Sequence, residues 1–198
     1  RFLEELRALT EEFGCLLIAD EVQIGVGRSG YIFSYEASGI KPDIVAMAKG
    51  LAGGFPVGAV LATEKVAEAM TPGSHGSTFG GNPLAMAAGN AVMAVLQRDG
   101  FMENVRHRAG VLSAGLDKLS TQYKGMFTRR GNGFLQGMVF HQDIVAMDIV
   151  TALRAHYVLS VPASENTVRL LPPLNITDDE VAHLLSVLDA VLGAASIT

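Results

Sequence analysis

A single cysteine, Cys15, occurs among the 198 residues. One thiol cannot build an intramolecular disulfide framework, and such sparing use fits a reducing compartment. Basic residues are also in the minority: 15 Lys and Arg stand against 20 Asp and Glu, for a net charge of −5. Without a cationic surplus the chain has little with which to release counterions from a phosphate backbone, so a nucleic-acid partner lacks support. The longest apolar stretch, Leu84 to Leu96, contains Gly89 and Asn90 and is too short to span a bilayer. No basic segment followed by an apolar run opens the chain. Arg1 rather than methionine stands first and enters directly into a helical pattern. The expectation is a cytoplasmic chain without a membrane segment, and a piece of a longer polypeptide. What is present is ample core material, with 49% hydrophobic residues and 22 glycines, which excludes wholesale disorder.

Phe2, Leu3, Leu6, Leu9 and Phe13 recur at helical spacing with charged residues between them, and Gly14 ends the pattern. Cys15 to Ala19 is a continuous apolar run that suits a parallel strand buried on both faces. On that reading Cys15 is a small core residue rather than a reactive thiol. Ile44 to Ala48 and Gly58 to Ala62 read as two more strands of the same parallel sheet, and Glu64 to Met70 as a short helix. Asn82-Pro83 is a helix start, with asparagine capping and proline at the first helical position. The helix that follows, to about Arg98, is rich in alanine and methionine and is expected to be buried. Beyond Asp99-Gly100 the order changes to a helix from Phe101 to about Leu119, strands at Met126–Arg130 and Phe134–Phe140, a helix at Ile144–His156, and strands at Tyr157–Val161 and Val168–Leu171. Thr177-Asp178-Asp179-Glu180 is a capping box that opens the last helix. The order is α/β first and mixed α+β second, with a boundary near Asp99-Gly100.

Two strands end in charged side chains, Asp20 after the first and Lys49 after the second. Ligands of open α/β sheets bind outside the carboxyl ends of the strands. Neighbouring parallel strands would therefore present a carboxylate and an amine to one crevice. A buried ion pair, or a plain surface lysine, is the bland alternative. Glycines at 50, 53 and 54 crowd the lysine, and an amine held in a tight, poorly solvated place becomes a nucleophile able to form a Schiff base. Pyridoxal phosphate chemistry needs that lysine and a carboxylate on the pyridine nitrogen. Glu21, next to Asp20, would point to the opposite strand face, so the two are not read as an acid–base pair.

Two other patterns carry less. Gly25-Val26-Gly27-Arg28-Ser29-Gly30 matches Gly-x-Gly-x-x-Gly, but it does not lie at a strand-to-helix turn and aromatic residues follow it. Leu16 to Glu21 resembles the magnesium-binding strand of a nucleotide hydrolase, yet the chain holds no Gly-x-x-x-x-Gly-Lys-Ser/Thr loop. No metal site is assigned.

Several motifs follow in order: Asp20-Glu21-Val22-Gln23, the Gly25 to Gly30 run, Lys41-Pro42-Asp43-Ile44, Ala48-Lys49-Gly50-Leu51, His75 to Pro83, and Val168 to Leu174. Together they resemble the class III aminotransferases of the fold-type-I pyridoxal-phosphate superfamily, over essentially the whole chain, and most closely the branch acting on acetylornithine. The resemblance implies an α/β fold: residues 1–99 as the C-terminal part of a three-layer α/β/α cofactor-binding large domain, and 100–198 as a small α+β domain. It implies Lys49 as the Schiff-base lysine and proton carrier. Asp20, Glu21, Val22 and Gln23 form the cofactor-binding run, with Asp20 on the pyridinium nitrogen, Val22 on a ring face and Gln23 on the phenolic oxygen. Thr78 would reach the cofactor phosphate of a neighbouring subunit, which implies a homodimer, and Ser77 would lie near the substrate. Arg169 would serve a substrate carboxylate or an acidic partner in the pocket. Gln23 could instead only cap its loop, Ser77 and Thr78 could be turn residues, and Arg169 could be a structural ion-pair arginine.

The implied reaction moves the terminal amino group of N-acetylornithine to 2-oxoglutarate by ping-pong exchange, in arginine biosynthesis. Ornithine, succinylornithine and succinyldiaminopimelate are the alternative donors. The family's N-terminal half would carry the glycine-rich phosphate turn, the aromatic residue stacked on the cofactor and an arginine for the substrate α-carboxylate. Without it the chain is expected to be incompetent as an enzyme, and a non-catalytic assembly fragment is the rival reading. The stretch from Lys124 to Val161 is short for the family.

Overall fold

The computed structural model describes residues 1–195. They divide into two compact units, Arg1–Met102 and a second that starts at Glu103. The first contains α1 (Phe2–Glu12), β1 (Ile18–Asp20), β2 (Ile44–Met47), β3 (Ala59–Ala62), α2 (Glu64–Ala67) and α3 (Pro83–Leu96). The sheet order is β1-β2-β3. β1 and β2 are parallel, with Ile18, Ala19 and Asp20 beside Ile44, Val45 and Ala46. β3 runs antiparallel to β2, which corrects the expectation of a third parallel strand. The connection from β2 to β3, Ala48 to Gly58, holds only the short Lys49–Ala52 turn and no α-helix, and it falls short of the dozen or so residues a parallel crossover takes. α3 starts as its sequence requires: Asn82 Oδ1 accepts the Ala85 N–H at 2.9 Å and Pro83 stands in the first turn.

Burial in this unit departs from expectation. β1 has one strand neighbour, and Ile18 is 61% exposed instead of buried on both faces. Cys15 is exposed rather than a core residue. α3 buries Ala85 and Leu96, whereas Leu84 is 64% exposed, so the helix is not the buried element its composition suggests. A three-stranded sheet has too little surface to cover these apolar side chains within the unit.

The second unit is built differently. It contains α4 (Phe101–Gln122, which opens just before the division), β4 (Phe127–Asn132), β5 (Leu135–Phe140), α5 (Ala146–Ala155), β6 (Val161–Ala163), β7 (Thr167–Leu170) and α6 (Asp178–Ala195). The sheet is antiparallel in the order β4-β5-β7-β6. The strand expected over Tyr157–Val161 begins only at Val161, because Tyr157 takes a left-handed backbone at φ 60° and breaks the extended run. Gly131 is obligatory in the β4–β5 hairpin: its φ is 120° and a Cβ there would meet the Leu135 carbonyl oxygen at 2.1 Å. α4 buries Val105, Ala109, Leu112, Leu116 and Leu119, a stripe at helical period. α5 and α6 pack together and add Ile149, Val150, Leu153, Val181, Leu188 and Leu192 to a core that holds Phe134, Met138 and Val168. The capping box at α6 is present: the Thr177 N–H donates to Glu180 Oε2 at 2.7 Å and the Glu180 N–H donates to Thr177 Oγ1 at 3.2 Å.

Candidate active site

The carboxyl ends of β1 and β2 hold the two charged groups singled out by the sequence. Register sets Asp20 beside Ala46, and the chain leaves β2 at Met47 to enter the turn that Lys49 opens. Parallel pairing is what brings the two ends to one edge of the sheet. Asp20 is exposed, with Oδ1 accepting the Val22 N–H at 3.0 Å. Val22 and Gln23 follow, half-buried, in the turn after β1. Lys49 has φ 48°, a left-handed conformation that is uncommon outside glycine and tends to persist at functional sites. Its side chain is exposed, which corrects the expectation of a poorly solvated amine, although α3 packs on the Lys49–Ala52 turn.

Glu21 does something the sequence does not announce. It is 2% exposed, and both carboxylate oxygens are spent on the far end of the glycine loop. Oε2 accepts the Ser34 N–H at 3.0 Å, and Oε1 accepts the Tyr35 N–H at 3.3 Å and the Ser34 hydroxyl. Its own N–H donates to the Ala46 carbonyl at 2.8 Å, extending the pairing of β1 with β2. Its carbonyl accepts the Gly25 N–H at 3.0 Å, and a Cβ at Gly25 would meet that oxygen at 2.7 Å, so only glycine fits. Inside the loop the Val26 N–H bonds the Ile32 carbonyl at 2.8 Å, and the Phe33 and Tyr35 rings stack at 5.3 Å. Burial lifts the Tyr35 phenol above its usual range, with Glu36 and Glu21 adding to the shift, and burial pulls the Arg28 guanidinium below its own.

The remaining candidates lie apart in the chain. Ser77 and Thr78 are exposed in the loop before α3, and Ser77 Oγ accepts the Gly80 N–H at 2.9 Å. Arg169 belongs to the second unit, half-buried on β7 between Gly137 of β5 and Val161 of β6. A second polar cluster, at the amino ends of the strands, had no assigned role in the sequence. Asp43 Oδ2 accepts the Leu17 N–H at 2.7 Å and Arg7 Nη1 at 2.8 Å. The Leu17 amide, then Arg7, hold its carboxyl below the usual carboxylate range. A cleft of about 350 Å³ there, lined by Arg7, Lys41, Asp43 and Lys65, lies at the other end of the sheet from Asp20 and Lys49. Its only advance signal was Pro42-Asp43 directly ahead of a strand. Among the described residues no helix is long and apolar enough to cross a membrane, and no group of three metal-ligating side chains occurs.

The family model described as aminotransferase class-III matches residues 1–192. An acetylornithine aminotransferase of Agrobacterium fabrum is 49% identical over 198 residues, covering 100% of this chain and 49% of that protein. The structure of N-acetylornithine aminotransferase from Stenotrophomonas maltophilia matches with a TM-score of 0.84 at 35% identity, over 99% of this chain and 52% of that one. An ornithine aminotransferase from Toxoplasma gondii, described with partial occupancy of PLP at its active site, matches with a TM-score of 0.93 at 30% identity, over 98% of this chain and 47% of that one. The chain thus spans about half the length of the relatives it matches.

Proposed function

This chain belongs to the class-III aminotransferases, and we propose that its whole protein moves the terminal amino group of N-acetylornithine to 2-oxoglutarate, as a step of arginine biosynthesis. In this reading residues 1–99 form the C-terminal part of the cofactor-binding large domain and residues 100–198 the small domain. The protein works as a homodimer in the cytoplasm. One observation carries the reading: Asp20 ends β1 and Lys49 follows β2, on strands paired in parallel and in register.

The donor set suits pyridoxal phosphate, the cofactor the family implies: a solvent-facing carboxylate and an amine in a glycine-flanked turn stand at the same end of the sheet. When bound, pyridoxal phosphate supplies the electron sink and the carrier for the transferred amino group. Lys49 would attach to it through Nζ and move a proton at that nitrogen. Asp20 would keep the ring nitrogen protonated, by the favourable pairing of a carboxylate with a cation. Val22 would pack on a ring face and Gln23 would bond the phenolic oxygen. Thr78 would bond the phosphate held by a neighbouring subunit, Ser77 would line the substrate space, and Arg169 would meet a substrate carboxylate with its planar fork. Ornithine is the second reading for the donor, favoured by the likeness to an ornithine aminotransferase.

Borohydride reduction of the whole protein in the presence of pyridoxal phosphate, followed by peptide mass mapping, tests the site. The expected label is on Lys49, and a label on any other lysine overturns the assignment. Turnover of N-acetylornithine against ornithine, each with 2-oxoglutarate, decides the donor; a higher kcat/KM for ornithine replaces the first reading by the second.

A further inference from the structure

We propose that Glu21 is a positioning residue for the aminotransfer chemistry, setting the places of Asp20 and Lys49 by clasping the loop that packs beneath the lysine turn. The proposal rests on the reading of Lys49 as the cofactor-attachment residue. Glu21 is nearly solvent-free and touches neither Asp20 nor Lys49 by any hydrogen bond among the described residues. Its influence runs along two short routes. One is covalent and through the sheet: Glu21 adjoins Asp20, and its N–H holds the Ala46 carbonyl three residues before Lys49. The other runs through the loop. The carboxylate fastens Ser34 and Tyr35, closing the segment in which Val26 lies.

Val26 is the contact between that loop and the lysine turn. A Cβ built on Gly50 would lie 3.7 Å from Val26 Cβ, so the valine side chain lies against the residue after Lys49. Val26 is buried and has φ 56°, a costly conformation for a β-branched residue. Lys49 is left-handed as well. Two strained residues in one packed arrangement persist only where their surroundings over-determine them. The Glu21 bonds and the Val26 N–H bond to Ile32 supply that determination. A buried carboxylate with three donors is a stiff fastening, and releasing one oxygen would loosen all that rests on it.

The test uses the whole protein loaded with pyridoxal phosphate, with Glu21→Gln, Val26→Ala and the double variant. However glutamine is turned, its NH2 group faces an N–H that the carboxylate satisfied, so one end of the clasp opens. Glu21→Gln is expected to lower kcat about 100-fold, the scale of a small misplacement of reacting groups. KM for the donor should stay within about threefold, since lost transition-state positioning shows in kcat. The pH midpoint of the cofactor's visible absorbance should shift, because that band reports the surroundings of Lys49 and Asp20. Val26→Ala should lower kcat about tenfold, and the double variant should fall short of the product of the two, since one route carries both effects.

A lower melting temperature with kcat per loaded molecule and the absorbance midpoint unchanged would make Glu21 merely structural and overturn the proposal. Should Glu21→Gln fail to fold, Val26→Ala decides alone: unchanged kcat and midpoint overturn it. Borohydride labelling of Lys49 in the unsubstituted protein separates the two levels. Without that label the site reading itself fails; with it, only the clasp is under test.

Discussion

Each unit of the chain is fastened by one polar side chain that gathers distant backbone groups, and the two fastenings differ in kind. In the first unit it is Glu21, a charged acceptor that takes donors from Ser34 and Tyr35. In the second it is Asn166, a neutral amide. Asn166 Nδ2 donates to the carbonyls of Phe140, His141 and Ile144, and Oδ1 accepts the Ala146 N–H that opens α5. Asn166 has φ 50°, which asparagine tolerates better than most residues. Their settings differ too. Asn166 serves a unit with a full apolar core, whereas Glu21 serves a thin sheet whose edge strand leaves Ile18 exposed. The contrast teaches where cohesion comes from: packing dominates the second unit, and hydrogen-bonded charge carries a larger share in the first. A carboxylate beside the reacting groups also contributes a fixed field, which an amide does so far more weakly.

The largest expected effect tests the packing side of that contrast. Phe134 is fully buried in the second unit, and Phe134→Ala should cost about 3–5 kcal/mol. Ile18→Ala, a deletion of half as many apolar carbons on β1, should stay within about 0.5 kcal/mol, well below the roughly 2 kcal/mol or more of a buried isoleucine, because the side chain is already solvated. Amide hydrogen exchange in the whole protein reads both locally. A loss of about 2 kcal/mol or more at Ile18 would mean that it is covered in the whole protein, and the contrast would then hold for this chain alone. Next in size is Asn166→Ala, which leaves three carbonyls and the α5 opening without their shared partner and should cost about 2 kcal/mol. Exchange should rise at Ala146 and the first turn of α5. A loss confined to β7 would show that backbone strain, not the fastening, sets the cost.

Residue types and strand ends made the chemistry legible. Lys49 and Asp20 stood out because each follows an apolar run, and the parallel pairing of those runs sets them at one end of the sheet. Caps were legible because they are local: Asn82 and Thr177 act within one turn. The lysine's exposure was not legible, since burial depends on what covers a strand and the sequence pattern records only what could be covered. The antiparallel β3 was missed because an apolar run carries no direction. Glu21 reaches Ser34 across a loop, so no periodicity could reveal that its carboxylate is a fastening. Asp43 stood in a quoted motif, yet its partners Arg7 and Leu17 come from far back in the chain.

The smallest effect is a matter of pH and separates the two units once more. Asp43 joins the start of β1 to α1, and its carboxyl is held below the ordinary range by the Leu17 amide and then by Arg7. A depressed carboxylate contributes stability that is whole above its unfolded value of about 3.9 and is lost as pH falls through the folded value. Acid should therefore release the Leu17 N–H first, and exchange at that amide, corrected for its intrinsic rate, should rise as pH drops below about 4. Asp43→Asn keeps an acceptor but not the charge, so it should weaken Leu17 protection at neutral pH by about 1 kcal/mol and flatten the acid dependence. Glu180 is depressed in the same direction by the Thr177 N–H and hydroxyl. Its protonation loosens only the first turn of α6, because Val181, Leu184 and Leu188 hold the rest of that helix in the core. Equal acid-induced exchange along all of α6 and at Leu17 would show that charge fastens both units alike. Release at Leu17 with the body of α6 still protected is the outcome that one packed unit and one charge-fastened unit require.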